Sequence, residues 1–328
     1  MKFFVSAFIL AIINFFIVSA QPYYRQKDDK FIFYLDQGHK AIIMGLSDKS
    51  IKDVVIPQYF VVEGERWYVN SIGYGAFLDY DITSVTIPSN IESIKFETYA
   101  FENCKKLKTI TINAAKVPEV SIRAFYGANV DIVIKGSATP AFTESIAKSF
   151  LKNYSLPINK DYTNLTQYER KKDLFNLAKA LNKSITFDGN ADQGNAAVAI
   201  AIGHASWGGV SRAYYQLARA MGIKETEVLI GGDAAVSAWN YVKVDGYWYN
   251  VDISRFDLKN ASYTNSFFMN NSKFSEFLNK KQPSGKYNNS PSKWVVVLDL
   301  IHYQGEANYH GTTYFNSYLS KNGLGSRA

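Results

Sequence analysis

Thiol and imidazole side chains, which do nucleophilic and proton-transfer chemistry near neutral pH, are few and scattered in this 328-residue sequence. There is one thiol, Cys104, and there are four imidazoles, His39, His204, His302 and His310. Ser206 stands two residues after His204, and Asp252 closes a hydrophobic alternation. A serine nucleophile needs a base within hydrogen-bond reach, because an unactivated hydroxyl attacks poorly. The pair Ser206 and His204 is therefore one chemical reading, and two ordinary loop residues are the other. Cys104 has no Cys or His nearby in sequence and reads as a small buried hydrophobe. His302 and His310 stand eight residues apart, and His302 lies in a strand-like run where a structural role is the expectation, so no metal site is expected, and no cofactor.

The elements around these residues are clearer than the chemistry. Residues 168–181 space Tyr168, Phe175, Ala178 and Leu181 as one apolar helix face among charges. The helix leads into SITFD, which ends at Asp188. A second helix begins near Trp207, with Val210, Ala213, Tyr214, Leu217, Ala220 and Met221 on one face and Gly222 as its stop. Trp239 to Val244 alternates, Asp245-Gly246 supplies a tight turn, and Tyr247 to Asp252 returns. WVVVLDLIHYQ, beginning at Trp294, reads as a buried strand that completes a sheet. Pro140, Pro157 and many polar residues between 137 and 165 mark a junction.

GHASWGGVSRAYYQLARAMGI (203–223) and SAWNYVKVDGYWYNVD (237–252) resemble the two signature stretches of transglutaminase-like domains. That resemblance implies a nucleophilic Cys at the start of the second helix, a His at the head of the hairpin and an Asp at its end. Here those slots hold Trp207, Ser237 and Asp252. Indole cannot act as a thiolate, and serine cannot shuttle protons near neutral pH as histidine can. The resemblance thus implies a papain-like α+β scaffold whose triad is degenerate. A ligand cleft lined by Ser206, Trp207, Trp239 and Tyr241 is one expectation, and a Trp207 that plugs the old cleft is the other.

The first half of the chain carries a different pattern. Ala-Phe recurs at Ala76-Phe77, Ala100-Phe101 and Ala124-Phe125, an interval of 24 residues. A fixed period of this size marks stacked units, each too small to bury its own apolar face. Val85-Thr86-Ile87, Ile110-Thr111-Ile112 and Ile132-Val133-Ile134 are the expected rungs of a parallel ladder. KFIFYLDQGHKAIIMGLSD alternates and reads as a hairpin that caps one end. Over about residues 28–136 the pattern resembles BspA-like leucine-rich repeats. The middle unit fits best, from Ala100-Phe101 through Cys104, Leu107, Ile110 and Ile112. The third departs, with Gly127-Ala128 in the Cys region and no Pro after Ile134.

The expected fold class is therefore α+β: a short β-rich leucine-rich-repeat solenoid followed by a transglutaminase-like domain. The expected divisions are a signal peptide at 1–20, repeats with an N-terminal β cap at 21–140, and the second domain at 141–328. Lys2, the apolar run to Val18 and the small residues Ser19-Ala20 carry the leader reading. With 23 Tyr, 22 Phe and only 20% charged residues, the chain has too much apolar surface to stay unfolded. The net charge of +7 is spread in short clusters such as KKDLF and CKKLK, which argues against a nucleic-acid track. A single Cys leaves no internal disulfide, so packing alone must hold an exported fold. Of the sequons at Asn153, Asn164, Asn182, Asn260, Asn270 and Asn288, some would carry glycans in a eukaryotic secretory pathway, and none would have meaning in a bacterium. The expected function is secreted or cell-surface binding or adhesion, with extracellular proteins or glycans as partners. An enzyme with a rearranged Ser206 site and a structural matrix component are the alternatives.

Overall fold

A computed structural model of the chain describes residues 24–188, 195–233, 237–244, 246–254, 267–269, 294–296, 313–314 and 326–327. The expected leader at 1–20, the sequons at Asn260, Asn270 and Asn288, and His302 and His310 lie outside the described residues. The chain enters through β1 (Tyr24–Lys27), β2 (Phe31–Asp36) and β3 (Lys40–Leu46), an antiparallel meander. Alternation decides which face turns inward. Phe31, Phe33, Ala41 and Ile43 are all buried, as the hairpin reading predicts.

Two parallel ladders follow, built from β4 (Asp53–Val55), β6 (Glu65–Ile72), β7 (Ser84–Ile87), β8 (Lys95–Phe96), β9 (Thr109–Ile112) and β10 (Val133–Lys135), while β5 (Tyr59–Val62) pairs antiparallel with β6. The expected one is β4-β7-β9-β10, in which β7, β9 and β10 hold the predicted rungs. β4 adds a rung that the sequence pattern did not reveal, since its repeat lacks an Ala-Phe. The second ladder starts from the cap: β3 lies parallel to β6, and β6 to β8. There Ile72 pairs with Phe96 and Phe96 with Val120, again at the repeat interval.

Between the ladders lie the Ala-Phe turns. Phe77, Phe101 and Phe125 are buried and stacked, with centroids 5.3 Å and 5.1 Å apart. Backbone bonds tie each turn to the next, Phe77 N–H to Ala100 O (2.8 Å) and Phe101 N–H to Ala124 O (2.7 Å). The turns also repeat left-handed residues, at Asp79, Asn103 and Gly127 and at Gly75 and Tyr99. Asn and Gly tolerate that conformation; a bulky aromatic residue does not do so readily.

The far end of the solenoid is closed by α1 (Thr139–Asn153), within the stretch read as a junction. Pro140 sits in its first turn, where a missing N–H costs nothing. Phe142, Ile146 and Phe150 point inward, and the Phe142 ring meets Phe96 at 5.3 Å and 87°. Next come α2 (Gln167–Ser184), opened by a Thr166–Glu169 capping box, and β11 (Thr186–Phe187). Tyr168, expected on the apolar face of α2, is instead 58% exposed, and Leu174, Phe175 and Leu181 make the contact.

α3 (Ala196–Ile202) and β12 (His204–Ala205) lead to α4 (Trp207–Met221), whose bounds match the predicted second helix. Gly222 ends α4 at φ +112°. The sheet of this half is a meander of β13 (Val228–Asp233), β14 (Ser237–Val244) and β15 (Tyr247–Val251). β16 (Trp294–Val296) adds to it antiparallel to β13, so the start of WVVVLDLIHYQ does extend the sheet. Among the described residues, most buried apolar side chains form one cluster from Phe31 to Phe268, so the helices share a core with the repeats, while Trp239, Tyr241 and Trp248 lie outside it.

Candidate functional site

Of the residues singled out for chemistry, His204 and Ser206 stand at the N-terminus of α4, beside Trp207. β11 and β12 form a short parallel pair in which Thr186 faces His204 and Phe187 faces Ala205. That pairing carries the chain into Ser206, the N-cap of α4, and places Phe187 beside Trp207. Their ring centroids are 5.0 Å apart with planes at 54°. Trp207 is half-buried, and Phe187 is 36% exposed. One residue on, Asp188 Oδ2 lies 3.4 Å from His204 Nε2. The site thus pairs an aromatic edge with an acid and an imidazole.

The floor is polar as well. Arg212 is 3% exposed, one turn into α4. Its Nη1 lies 2.8 Å from where a Cβ on Gly208 would stand, and Ser206 Oγ lies 3.9 Å from the same point. Gly208 therefore leaves the space that the guanidinium fills. Ser206 makes no side-chain capping bond. Among the described residues, no hydrogen bond joins it to His204, whose imidazole faces Asp188 instead.

The hairpin residues are arranged differently. Asn240 of β14 donates to Ser211 O of α4 (3.0 Å), so the even-numbered side chains of β14 face the helix. Trp239 and Tyr241 lie on the opposite face, each 1% exposed. Trp239 Nε1 donates to Asn250 Oδ1 (3.2 Å). Of the four residues expected to line a cleft, Ser206 and Trp207 keep surface, while Trp239 and Tyr241 are interior. Asp252 follows β15 at 4% exposure and accepts from Ser254 N (3.1 Å) and Oγ (2.7 Å). By strand register it shares a face with Trp239. Ser237 opens β14, opposite Asp233.

The chain's one thiol is remote from this site. Cys104 is fully buried in the repeats, and its Sγ donates to Phe77 O at 3.0 Å. Burial pushes its pKa up to about 12. Among the described residues no group of three His, Cys, Asp or Glu could hold a metal ion. No described helix is long and apolar enough to cross a membrane. Asn153, Asn164 and Asn182 are all at the surface, although Asn182 Nδ2 donates to Ile253 O (3.0 Å).

Sequence reasoning missed Phe187 as the partner of Trp207. Its signal was available, since SITFD ends in an aromatic residue and an acid at the same loop.

Residues 70–186 match the BspA type leucine rich repeat region in six copies. The chain carries BspA-type leucine-rich repeats. The match runs on into α1 and α2, beyond the last rung of the ladder at Lys135. We place the end of the solenoid at that rung, because a helix cannot add one. Among solved structures, the chain is similar to a leucine rich cell surface protein from Faecalibacterium prausnitzii, at 26% identity and a TM-score of 0.30. That match covers 35% of this chain and 31% of the other. A leucine-rich repeat protein from Bacteroides ovatus is 22% identical over 35% of this chain and 38% of its own, with a TM-score of 0.25. One from Bacteroides capillosus is 22% identical over 34% of this chain and 98% of its own, also at 0.25. The chain spans about a third of the length of the first two. No curated protein matches it.

Proposed function

We propose that this is a secreted or cell-surface binding protein of the adhesion type, recognising extracellular proteins or glycans. In this reading residues 21–140 are the repeat segment, and residues 141–328 are a transglutaminase-like domain that has lost its reaction. A helix start, an antiparallel hairpin and an aspartate at the hairpin's end follow one another in the order such a domain requires. The observation that carries the reading is Trp207. It occupies the first residue of α4, where a helix dipole would favour a thiolate. The one thiol present, Cys104, lies sealed in the repeats.

The same location suits recognition. Trp207 and Phe187 offer a ring edge fixed by mutual contact, with His204 and Asp188 alongside to orient polar groups. Aromatic anchors beside a few placed polar groups are the usual composition of a binding patch. The test is capture of the purified chain on immobilised matrix proteins and glycans, compared with Trp207→Ala. Saturable binding that weakens in a folded Trp207→Ala protein supports the patch. Stoichiometric labelling of Ser206 by an activated phosphonate would instead revive an enzyme.

A further inference from the structure

The outer surface of the repeat turns carries a row of tyrosines in mutual contact. Tyr74, Tyr99 and Tyr126 stand on successive turns, with ring centroids 5.5 Å and 6.1 Å apart and planes at 84° and 70°. Tyr74 and Tyr126 are each 62% exposed, and Tyr99 lies half-buried between them. The backbone beneath is fixed turn to turn: Gly75 N–H donates to Thr98 O (3.2 Å) and Tyr99 N–H to Arg123 O (3.1 Å). Edge-to-face contact holds each ring, so little rotamer freedom is left to lose on binding.

Tyr99 is also placed at a conformational cost. It adopts φ +60°, in the slot that the preceding repeat fills with Gly75 at φ +61°. An L residue with a bulky side chain is strained there, and glycine is not. Such strain is held in place by the surrounding structure and clusters at functional sites. The third observation is Arg123. Its Nη1 donates to Tyr99 Oη (3.1 Å), and the hydroxyls of Tyr126 and Tyr154 lie near enough to favour its charge. Among the described residues, no carboxylate pairs with it. Glu97, on the neighbouring turn, accepts from Ser71 Oγ instead (2.8 Å). Lys105 adds a second cation beside Tyr126, with its Nζ on Gly127 O.

We propose that Tyr74, Tyr99, Tyr126 and Arg123 form a binding stripe for an acidic glycan, a chain of sugars bearing carboxylates. The rings pack against sugar faces, and the unused guanidinium donors take a carboxylate in the planar, two-bond geometry that suits arginine. The assignment rests on the reading of the chain as an extracellular binding protein. It adds a contact surface on the repeats to the one at α4.

The test uses the full chain on immobilised hyaluronan, with dextran as the uncharged polymer and polyglutamate as the ring-free polyanion. Tyr99→Gly is the decisive variant, because the preceding repeat shows that glycine fits the slot. Wild type should bind hyaluronan saturably and dextran and polyglutamate at least about tenfold more weakly. Tyr99→Gly and Arg123→Gln should each weaken hyaluronan binding about tenfold or more, with Tm unchanged or, for Tyr99→Gly, raised. Undiminished binding in both variants overturns the stripe, as does equal binding to polyglutamate. A chain that binds matrix proteins or neutral glycans but not hyaluronan also overturns the stripe, and leaves the general binding reading standing.

Discussion

The rings of Phe101 and Phe125 stack at 5.1 Å between centroids and 6° between planes, and Phe77 continues the column on the other side of Phe101. One residue type at one interval therefore supplies both the interior of each repeat and the contact between repeats. Phe101→Ala removes the middle ring and should cost about 3–5 kcal/mol, the range for truncating a large buried aromatic residue. Urea unfolding with a repeat-specific probe measures it. A loss below about 1 kcal/mol would mean that the column adds little to the core.

Cys104 occupies the slot that Tyr80 and Ala128 fill in the flanking repeats. Full burial and a pKa raised to about 12 by desolvation keep it protonated and out of reach. The native chain should show no reaction with a thiol reagent at pH 8, and one equivalent after denaturation. Rapid labelling of the folded protein would contradict the packed slot.

Arg170 Nη2 lies 2.7 Å from Glu227 Oε2, and Arg170 Nη1 donates to Oε1 at 3.1 Å. Burial pushes the Glu227 carboxyl upward, but the hydrogen bond and charge of Arg170 outweigh it, leaving a net shift below the usual carboxylate range. A depressed folded-state pKa contributes stability above the unfolded value of 4.5, and that stability is lost as pH falls through the folded value. Glu227→Gln should therefore cost about 2 kcal/mol at pH 7. The gap in Tm between wild type and variant should shrink as pH drops below the unfolded value. A gap constant from pH 7 into that acid range would rule out the pair as its source.

Gly222 and Gly246 both take left-handed conformations, at φ +112° and +82°. They differ in what surrounds them. A Cβ on Gly222 would collide with Lys160 O, whereas one on Gly246 would meet nothing within 4 Å. Gly222→Ala should lower stability by well over about 1 kcal/mol, and Gly246→Ala by about 1 kcal/mol. Equal losses, read from paired thermal melts, would indicate that only the dihedral matters.

The repeats were legible because the period is strict wherever Ala-Phe marks it. Where that mark is absent the rung was invisible, as at β4. The helix α1 was hidden by Pro140 and its polar flanks, although Phe142, Ile146 and Phe150 carry helical spacing. AAVAIAI, which forms α3, is apolar all round, so it gives no periodicity to separate helix from strand. The bounds of α4 were readable from its apolar face and from Gly222. Trp239 and Tyr241 looked like cleft residues because alternation cannot tell a solvent face from a second buried face. The tyrosine row was missed because its members do not keep the repeat interval in sequence. Tyr74 lies two residues before its Ala-Phe pair, Tyr99 one residue before, and Tyr126 one residue after.

The most direct test is binding of the full chain to a panel of immobilised matrix proteins and glycans, run in parallel with Trp207→Ala and Tyr99→Gly, each shown to be folded. Recognition at the proposed surfaces predicts saturable wild-type binding that at least one of these variants weakens about tenfold or more. Absence of binding across the panel, or binding that neither variant changes, would contradict recognition at these surfaces.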